Sequence, residues 1–227
     1  NYRDLRNELE KMGHHFTTAT DTEVVLEAYR AWGDGCPTRL NGMFAFAIYD
    51  SRSQTVMLVR DRVGEKPLYY AYGFGRLLFA SELKALMADP SFPRELDFES
   101  FQYYLAYGYV PGDKCILKGV NKLSPGNAVI FDLKDGSLRH HPYWTLPDPP
   151  LDTEVSEEGL VDRLEILLQN AVQRQLVADV PLGILLSGGT DSSLVAAMAA
   201  RISSSPVKTF TVSFPGHGHF DESSYAR

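Results

Sequence analysis

The chain has 227 residues, which exceeds one average domain, and its apolar content of 44% can build a substantial core. Its formal net charge of −7 at pH 7 argues against a nucleic-acid-binding surface, which usually carries a basic excess. No apolar run approaches the roughly 18 residues that a membrane span needs, and two widely separated cysteines give no disulfide framework. We therefore expect a cytoplasmic protein with neither nucleic-acid nor membrane partners.

The first part of the chain is predicted to be α+β. Amphipathic spacing predicts helices over residues 2–13 and 21–32, the second with acidic residues in its first turn. Short runs of aromatic and β-branched residues, separated by turn signals, predict one antiparallel meander of four strands: 44–50, 55–61, 67–72 and 76–81. Two more helices and a hairpin are predicted over 81–88, 96–108 and 126–143.

The second part of the chain follows a different pattern. Residues 146–156 contain three prolines and no periodicity, which predicts a linker between domains. An amphipathic helix over 157–176 then precedes an apolar strand, GILL, of the kind buried in parallel sheets. A helix over 193–202 and a strand over 207–214 complete a βαβ unit, which indicates the start of an α/β domain.

The junction between that strand and helix is SGGTDSS, residues 187–193. Glycines at the carboxyl end of a parallel strand let backbone N–H groups converge, and the helix dipole favours an anion there. The hydroxyl groups suit phosphate oxygens, and Asp191 suits a metal carried by the phosphates. The alternative is a tight turn with Asp191 as an ordinary helix cap. The loop does not fit the GxxxxGK[ST], GxGxxG or GxSxG motifs.

This loop resembles the pyrophosphate-binding loop, SGGxDS, of the N-type ATP pyrophosphatases. Three further segments, NGMFAFAIYD, RDRVGEKPLYY and FASELKAL, occur in the order and spacing of the amidotransferase half of the glutamine-hydrolysing asparagine synthetases. FTVSF and FDESSYAR resemble the strand and helix that follow the ATP loop in that family. The whole chain therefore resembles the asparagine synthetase family.

The resemblance implies a fold of two parts. Residues 1–145 would form a type 2 glutamine amidotransferase domain (class II, with Ntn-hydrolase-like antiparallel sheets) that lacks its N-terminal segment. Residues 146–156 would be the linker. Residues 157–227 would start an α/β ATP-pyrophosphatase domain of the adenine nucleotide alpha hydrolase-like type.

The resemblance also implies two coupled reactions. An N-terminal cysteine attacks the glutamine amide and releases ammonia, while ATP activates L-aspartate as an acyl-adenylate that the ammonia intercepts. The products are L-asparagine, L-glutamate, AMP and diphosphate. ATP, Mg²⁺, L-glutamine and L-aspartate are the implied ligands, and the resemblance leaves room for a homodimer.

Site residues follow from the matched motifs. The residues matched to ATP and pyrophosphate binding are Leu185, Ser187, Gly188, Gly189, Thr190, Asp191, Ser192, Ser193 and Val212. Asp191 is the candidate Mg²⁺ ligand, and Thr190 departs from the family, where this position is often apolar. Asp21 matches the carboxylate that pairs with the α-ammonium group of glutamine. Its alternative role is to cap the following helix, and one residue can serve both roles.

No catalytic residue is expected within this chain. The nucleophilic cysteine, the oxyanion hole and the glutamine-binding arginine are expected before Asn1, which matches the end of the family's NGEIYN segment. Cys36 and Cys115 have no neighbouring base or N-terminal amine in their motifs and are interpreted as buried apolar side chains. Glutamine hydrolysis is therefore not expected from this chain alone, and the aspartate pocket is expected beyond Arg227.

Other candidate residues are interpreted more simply. His217-Gly218-His219 is expected to be a surface loop rather than a metal site, and Asp61 is expected to form ion pairs with its flanking arginines. Ser81 and Glu82 match a segment that faces the ammonia route in the family. Packing at a domain interface is expected for four tyrosines at helical spacing: Tyr103, Tyr104, Tyr107 and Tyr109.

Two alternative functions stay open from the sequence. The first is a related ATP-dependent amidotransferase that acts on another acid, because the matched segments do not include the acid-binding residues. The second is a non-catalytic nucleotide-binding scaffold. The complete SGGTDSS loop speaks against the scaffold, since a turn alone does not require so many small polar residues.

Overall fold

The computed structural model describes residues 1–73, 75–148, 156–214, 216, 218 and 221–226. These residues form two compact units, the first ending at Asp148 and the second comprising the described residues from Ser156 onward. Most of the predicted linker, residues 149–155, falls outside the described part. None of the helices in the described ranges combines the length and apolarity that a membrane span requires.

The first unit opens with three helical segments: α1 (Tyr2–Lys11), α2 (Asp21–Trp32) and a 3-10 helix (Gly33–Arg39). They share one apolar cluster, formed by Leu5, Leu9, Val24, Ala28, Cys36 and Leu40. Leu5 and Leu9 lie four residues apart, so both project from the same face of α1.

Thr20 caps α2, because its hydroxyl accepts a hydrogen bond from the N–H of Glu23 at 3.3 Å. The alternative role of Asp21 as this cap is therefore wrong.

Seven strands are found among the described residues of this unit. In chain order they are β1 (Ala45–Asp50), β2 (Thr55–Arg60), β3 (Tyr69–Gly73), β4 (Arg76–Ala80), β5 (Val120–Lys122), β6 (Asn127–Asp132) and β7 (Leu138–Pro142). A four-stranded sheet has the order β1-β2-β6-β7, and a three-stranded sheet has the order β4-β3-β5. Between β4 and β5 the chain forms two helices, α3 (Leu83–Leu86) and α4 (Phe98–Tyr107).

The two sheets pack face to face within this unit. Leu58 on β2 meets Tyr70 of the three-stranded sheet. The preceding residue, Met57, points to the opposite face and lies in the cluster that contacts Tyr29 of α2. Leu86 of α3 packs on the far side of the three-stranded sheet. The layers are therefore helix, sheet, sheet and helix, and the predicted α+β class with antiparallel sheets is confirmed.

The prediction of one continuous meander is wrong. β1 and β2 form a hairpin, and so do β3 and β4, but β2 and β3 lie in different sheets. The second neighbour of β2 is β6, which comes much later in the chain. Short apolar runs do not specify such distant partners, and β5 has only 3 residues, too few for a periodic signal.

The chain leaves β2 by turning around the fully buried carboxylate of Asp61. Its Oδ1 accepts hydrogen bonds from the backbone N–H groups of Val63 (3.3 Å) and Glu65 (2.9 Å), and its Oδ2 from that of Lys66 (2.9 Å). The guanidinium groups of the flanking arginines bind backbone carbonyl oxygens instead. The predicted ion pairs of Asp61 are therefore wrong: backbone N–H groups compensate its charge.

The second unit consists of α5 (Glu157–Gln175), β8 (Gly183–Leu185), α6 (Thr190–Ile202) and β9 (Lys208–Phe210). β8 and β9 pair in parallel, with Ile184 opposite Thr209, so the predicted βαβ unit is confirmed. Its buried core consists of Val172, Met198 and Ala199, against which Ile184 packs. α5 and α6 thus cover one face of the strands.

Three details of the second unit differ from the sequence predictions. α6 begins at Thr190 rather than at 193, because the chain becomes helical directly after Gly189. β9 ends at Phe210, earlier than predicted. The strand GILL was expected to be buried, but Leu185 is 75% exposed. Among the described residues only β9 pairs with β8, and only one face of β8 meets the helices.

Asp61→Ala is expected to lower the free energy of unfolding of the first unit by about 2–5 kcal/mol, because it removes a fully buried carboxylate that accepts three backbone N–H groups of the turn. Urea denaturation followed by circular dichroism measures the change. The matched control is Asp135→Ala, since Asp135 also accepts a backbone N–H, that of Ser137 at 2.8 Å, but in an exposed turn. The control should lose less than about 1 kcal/mol. Equal losses in the two variants would contradict the role given to Asp61.

Candidate functional site

The SGGTDSS loop joins β8 to α6 at the carboxyl edge of the two parallel strands. The N–H of Leu186 donates to the carbonyl of Phe210 at 2.8 Å, and the hydroxyl of Thr211 donates to the carbonyl of Leu186 at 2.7 Å. These two bonds fasten the end of β8 to β9. The loop therefore starts from a fixed point of the sheet.

Two serine side chains hold the loop in shape. The hydroxyl oxygens of Ser187 and Ser192 lie 2.9 Å apart, and Ser187 Oγ also accepts the N–H of Gly189 at 3.3 Å. The hydroxyl of Ser192 donates to the carbonyl of Gly189 at 3.2 Å and accepts the N–H of Ser187 at 3.3 Å. The structure thus brings three of the predicted residues together. The hydroxyl groups of the two serines are engaged within the loop itself.

Gly188 and Gly189 have different structural roles in the loop. Gly188 has a φ of +88°, in the left-handed region that disfavours a side chain. Gly189 is the N-cap residue of α6 and offers no side-chain acceptor to the helix. The first N–H groups of α6 therefore lack the acceptor that a capping side chain would supply. Asp191 lies within the first turn, so its alternative role as the helix cap is wrong.

This geometry suits an anion. Backbone N–H groups at a helix N-terminus carry partial positive charge and bind phosphate oxygens. Leu185 is the last residue of β8, and Val212 lies just beyond the end of β9. Leu185 is 75% exposed and Val212 is 66% exposed, so apolar surface is available beside the loop. Thr190, Asp191 and Ser193 are also exposed in the first turn of α6.

Asp191 is the loop residue that can hold a metal. Within the described part of the chain, no group of three His, Cys, Asp or Glu side chains could hold a metal ion. Mg²⁺ does not need such a group, because it is often bound by one or two carboxylates together with substrate phosphates. A single exposed carboxylate beside an anion site fits a metal that arrives with a nucleotide.

A cavity of about 870 Å³ lies in the first unit, between the N-terminal end of α2 and β1. Asp21 lines it, as does Lys66 from the turn around Asp61. The carboxylate of Asp21 lies 3.4 Å from the hydroxyl of Thr22, so most of its hydrogen-bonding capacity is open to a cationic group. Ser81 also lines the cavity, whereas its neighbour Glu82 forms an ion pair with Lys84.

Glu23 is a residue of this site that the sequence patterns did not single out. Its carboxylate accepts hydrogen bonds from the N–H and hydroxyl groups of both Thr17 and Thr18, at 2.5–2.9 Å. Those bonds, led by the Thr18 hydroxyl, lower the pKa of Glu23 to about 2. The capping-box pattern T-x-x-E, from Thr20 to Glu23, is the sequence signal that points to it.

The two cysteines are buried, as predicted. Burial raises the pKa of the Cys36 thiol to about 12 and also raises the pKa of the Cys115 thiol. The thiolate is the nucleophilic form of cysteine, so these environments do not produce a nucleophile at neutral pH.

Two groups of predicted residues do not enter the described sites. His217 and His219 lie outside the described residues. Tyr104, Tyr107 and Tyr109 are exposed on and after α4, and the rings of Tyr103 and Tyr107 stack with centroids 6.3 Å apart. Their packing at a domain interface stays a prediction.

Gly188→Ala is expected to cost the second unit about 1–3 kcal/mol of unfolding free energy, because the left-handed φ strains a side chain. Its Cβ would also lie 2.5 Å from Cβ and 2.9 Å from the carbonyl carbon of Tyr225. Gly189→Ala is the matched control, with a φ of −71° and 3.4 Å to its nearest neighbour, the Ser187 hydroxyl oxygen. It should lose less than about 1 kcal/mol in the same guanidinium titration. A larger loss in the control would contradict this assignment.

Both thiols are expected to resist alkylation while the protein is folded. Iodoacetamide at pH 8, with labelled peptides quantified by mass spectrometry, should modify Cys36 and Cys115 only after denaturant is added. The reason is that burial disfavours each thiolate and blocks access to the sulfur. Labelling of either residue in the native protein, at the rate of a free thiol, would show that its sulfur is accessible and reactive in the folded state.

Comparison with known proteins agrees with the motifs. A model of the glutamine amidotransferase domain matches residues 1–144, and a model of asparagine synthase matches residues 163–227. Asparagine synthetase [glutamine-hydrolyzing] 3 of Bacillus subtilis is 36% identical over 99% of this chain and 37% of its own length. Putative asparagine synthetase [glutamine-hydrolyzing] 2 of Methanocaldococcus jannaschii is 35% identical over 100% of this chain and 43% of its own length.

The chain thus spans 37% and 43% of the lengths of these two curated relatives. Among solved structures, glutamine phosphoribosylpyrophosphate amidotransferase from B. subtilis aligns with 95% of this chain and 44% of that chain, at 16% identity and a TM-score of 0.43. The resemblance to the asparagine synthetases is confirmed by the sequence matches. Because the first model covers more than half of the residues, the chain belongs to the glutamine amidotransferase domain family, joined here to a segment that matches asparagine synthase.

Proposed function

We propose that the complete protein containing this chain is a glutamine-dependent asparagine synthetase. Such a ligase converts ATP, L-aspartate and L-glutamine into L-asparagine, L-glutamate, AMP and diphosphate. The observation that carries the proposal is the combination, on one chain, of an amidotransferase domain with a glycine loop whose helix N-terminus has no capping side chain and suits an anion. The names of the two curated relatives support it.

In the proposed ATP site, the N–H groups at the start of α6 bind the phosphates that leave as pyrophosphate. Ser187 and Ser192 keep the loop in shape through their mutual hydrogen bond. Leu185 and Val212 offer apolar surface to the adenine ring. Asp191 would hold Mg²⁺, which neutralises phosphate charge when it is bound.

The proposed chemistry at this site has two steps. The side-chain carboxylate of aspartate attacks the α-phosphorus of ATP, and the bond from that phosphorus to the pyrophosphate oxygen breaks. Ammonia then attacks the acyl carbon of the adenylate, loses a proton and displaces AMP. The loop contributes by holding the leaving pyrophosphate where its charge is balanced by N–H dipoles.

In the proposed glutamine site, the Asp21 carboxylate pairs with the α-ammonium group of glutamine. The cavity of about 870 Å³ has room for this ligand. The nucleophile is proposed to be the N-terminal cysteine that the family resemblance implies, in the protein upstream of Asn1. Burial and the raised pKa values of their thiols argue against Cys36 and Cys115 in this role. We extend the proposal to a cytoplasmic enzyme that forms a homodimer.

The complete protein is expected to form asparagine and AMP in equal amounts from aspartate, ATP and either glutamine or ammonium. Asp21→Asn should raise the KM for glutamine at least about tenfold, because an ion pair is lost, and should leave ammonium-driven synthesis unchanged. Asp191→Asn should slow synthesis from both nitrogen sources. Asp135→Asn, in an exposed turn of the first unit, is the control and should change neither activity.

Each part of the proposal has its own contrary result. AMP formation with a different acid, and none with aspartate, would identify an amidotransferase of other specificity. No AMP or diphosphate with any acid would favour the scaffold. Asp21→Asn could instead lose ammonium-driven and glutamine-driven synthesis to the same extent. That result would show that Asp21 contributes to the stability of the protein rather than to glutamine binding.

A further inference from the structure

Glu23 binds the loop that precedes α2 more extensively than a helix cap requires. Its Oε1 accepts the N–H of Thr17 at 2.8 Å and the Thr17 hydroxyl at 2.9 Å. Its Oε2 accepts the N–H of Thr18 at 2.6 Å and the Thr18 hydroxyl at 2.5 Å. Four hydrogen bonds to one carboxylate fix the backbone and both side chains of this dipeptide.

The arrangement departs from an ordinary capping box. In that motif the third helical residue returns its side chain to the N–H of the N-cap residue. Here the N-cap is Thr20, and its N–H donates to the hydroxyl of Thr18 at 3.3 Å. Thr20 already caps the helix by accepting the N–H of Glu23. The carboxylate of Glu23 is therefore free to reach further back along the chain, to the loop.

The loop is also held from the side of α1. The Arg6 guanidinium donates to the carbonyl of Thr18 at 2.7 Å, and the same group lies over the ring of Phe16 at 4.5 Å from its centroid. Glu10 pairs with Arg6 at 3.0 Å and keeps its side chain in place. Residues 16–18 are thus fastened from two helices.

The fastened loop forms the wall of the cavity next to Asp21. Thr17, Thr18 and Thr20 line the cavity together with Asp21. Asp21 is the first residue of α2 and directly follows the N-cap residue, Thr20. The backbone of the loop therefore fixes the position of the Asp21 Cα atom, from which the side chain extends. Within the described part of the chain, the Asp21 carboxylate has only the 3.4 Å contact with the Thr22 hydroxyl. The orientation of its side chain therefore depends on the position of its backbone.

We propose that Glu23 is a positioning residue for glutamine recognition: it fixes residues 17–20 so that the Asp21 carboxylate faces the substrate ammonium group. This inference rests on the proposed function, because it assigns Asp21 to glutamine. Hydrogen bonds from the threonines keep the pKa of Glu23 far below neutrality, so the carboxylate accepts all four bonds at physiological pH. An amide at this position would present an N–H₂ group to two of the four donors.

The test uses the complete protein, with the kinetics of glutamine-driven and ammonium-driven asparagine synthesis measured side by side. Glu23→Gln is expected to raise the KM for glutamine about five- to tenfold, with kcat changed less than about twofold and ammonium-driven synthesis unchanged. Thr18→Val removes one of the four donors, together with the acceptor of the Thr20 N–H, and keeps the carboxylate. It should raise the same KM about two- to threefold.

Asp97→Ala is the matched control. Asp97 caps α4 by accepting the N–H of Ser100 at 2.8 Å, and it does not line the cavity. Its substitution should lower the melting temperature as a lost cap does and leave the KM for glutamine unchanged. A structural role of Glu23 would lower stability in the same way, so the KM separates positioning from stability. If Glu23→Gln does not fold, Thr18→Val carries the comparison.

Two outcomes overturn the inference, and they can be told apart from each other. If Asp21→Asn raises the KM for glutamine while Glu23→Gln and Thr18→Val do not, the positioning role is wrong and the proposed function stands. If the complete protein does not use glutamine, or Asp21→Asn leaves its KM unchanged, the assignment of Asp21 fails, and the positioning role of Glu23 fails with it.

Discussion

The first turn of a helix carries backbone N–H groups that have no acceptor within the helix, and both candidate sites of this chain begin at such a turn. The two turns meet this constraint in opposite ways. At α2, Thr20 supplies a side-chain acceptor, and the carboxylate of Asp21 remains open. At α6, Gly189 supplies no side chain, and the N–H groups lack a capping acceptor. The open carboxylate of Asp21 therefore suits a cationic group, whereas the uncapped N–H groups of α6 suit an anion.

Each site is held in shape by side chains that do not need to touch the ligand. Ser187 and Ser192 close the loop before α6 on itself, and Glu23 holds the loop before α2. Asp61 does the same for the turn after β2, which delivers Lys66 to the wall of the cavity. In all three places a side-chain oxygen accepts backbone N–H groups of a loop. Such bonds are local, directional and costly to leave unmade when buried.

Features encoded by local patterns could be predicted from the sequence. The helices α1, α2 and α5, the β1–β2 and β3–β4 hairpins and the βαβ unit all follow from periodicity and turn signals. The position of the SGGTDSS loop between a strand and a helix also follows from its glycines and its flanking patterns. The resemblance of several collinear motifs to one family extended this local information to the whole chain.

Features that depend on distant partners could not be predicted in the same way. The strands form two sheets because β2 pairs with β6. Tertiary packing determines this pairing, and neither strand specifies it alone. The exposure of Leu185 depends on which elements cover β8. The apolar sequence of the strand does not specify those elements. In the sequence, Glu23 looks like an ordinary helix-capping acid, and Asp61 looks like one member of a charged run. Their roles appear only when the folded loop brings several N–H groups to one carboxylate.

The most direct test of the account is hydrogen–deuterium exchange of the complete protein with and without Mg·ATP, resolved at the backbone amides of residues 188–192. We expect slower exchange at these amides when ATP is bound, because phosphate oxygens become their acceptors. Unchanged exchange at millimolar ATP, or protection confined to other parts of the chain, would contradict the claim that the N-terminus of α6 is the phosphate site.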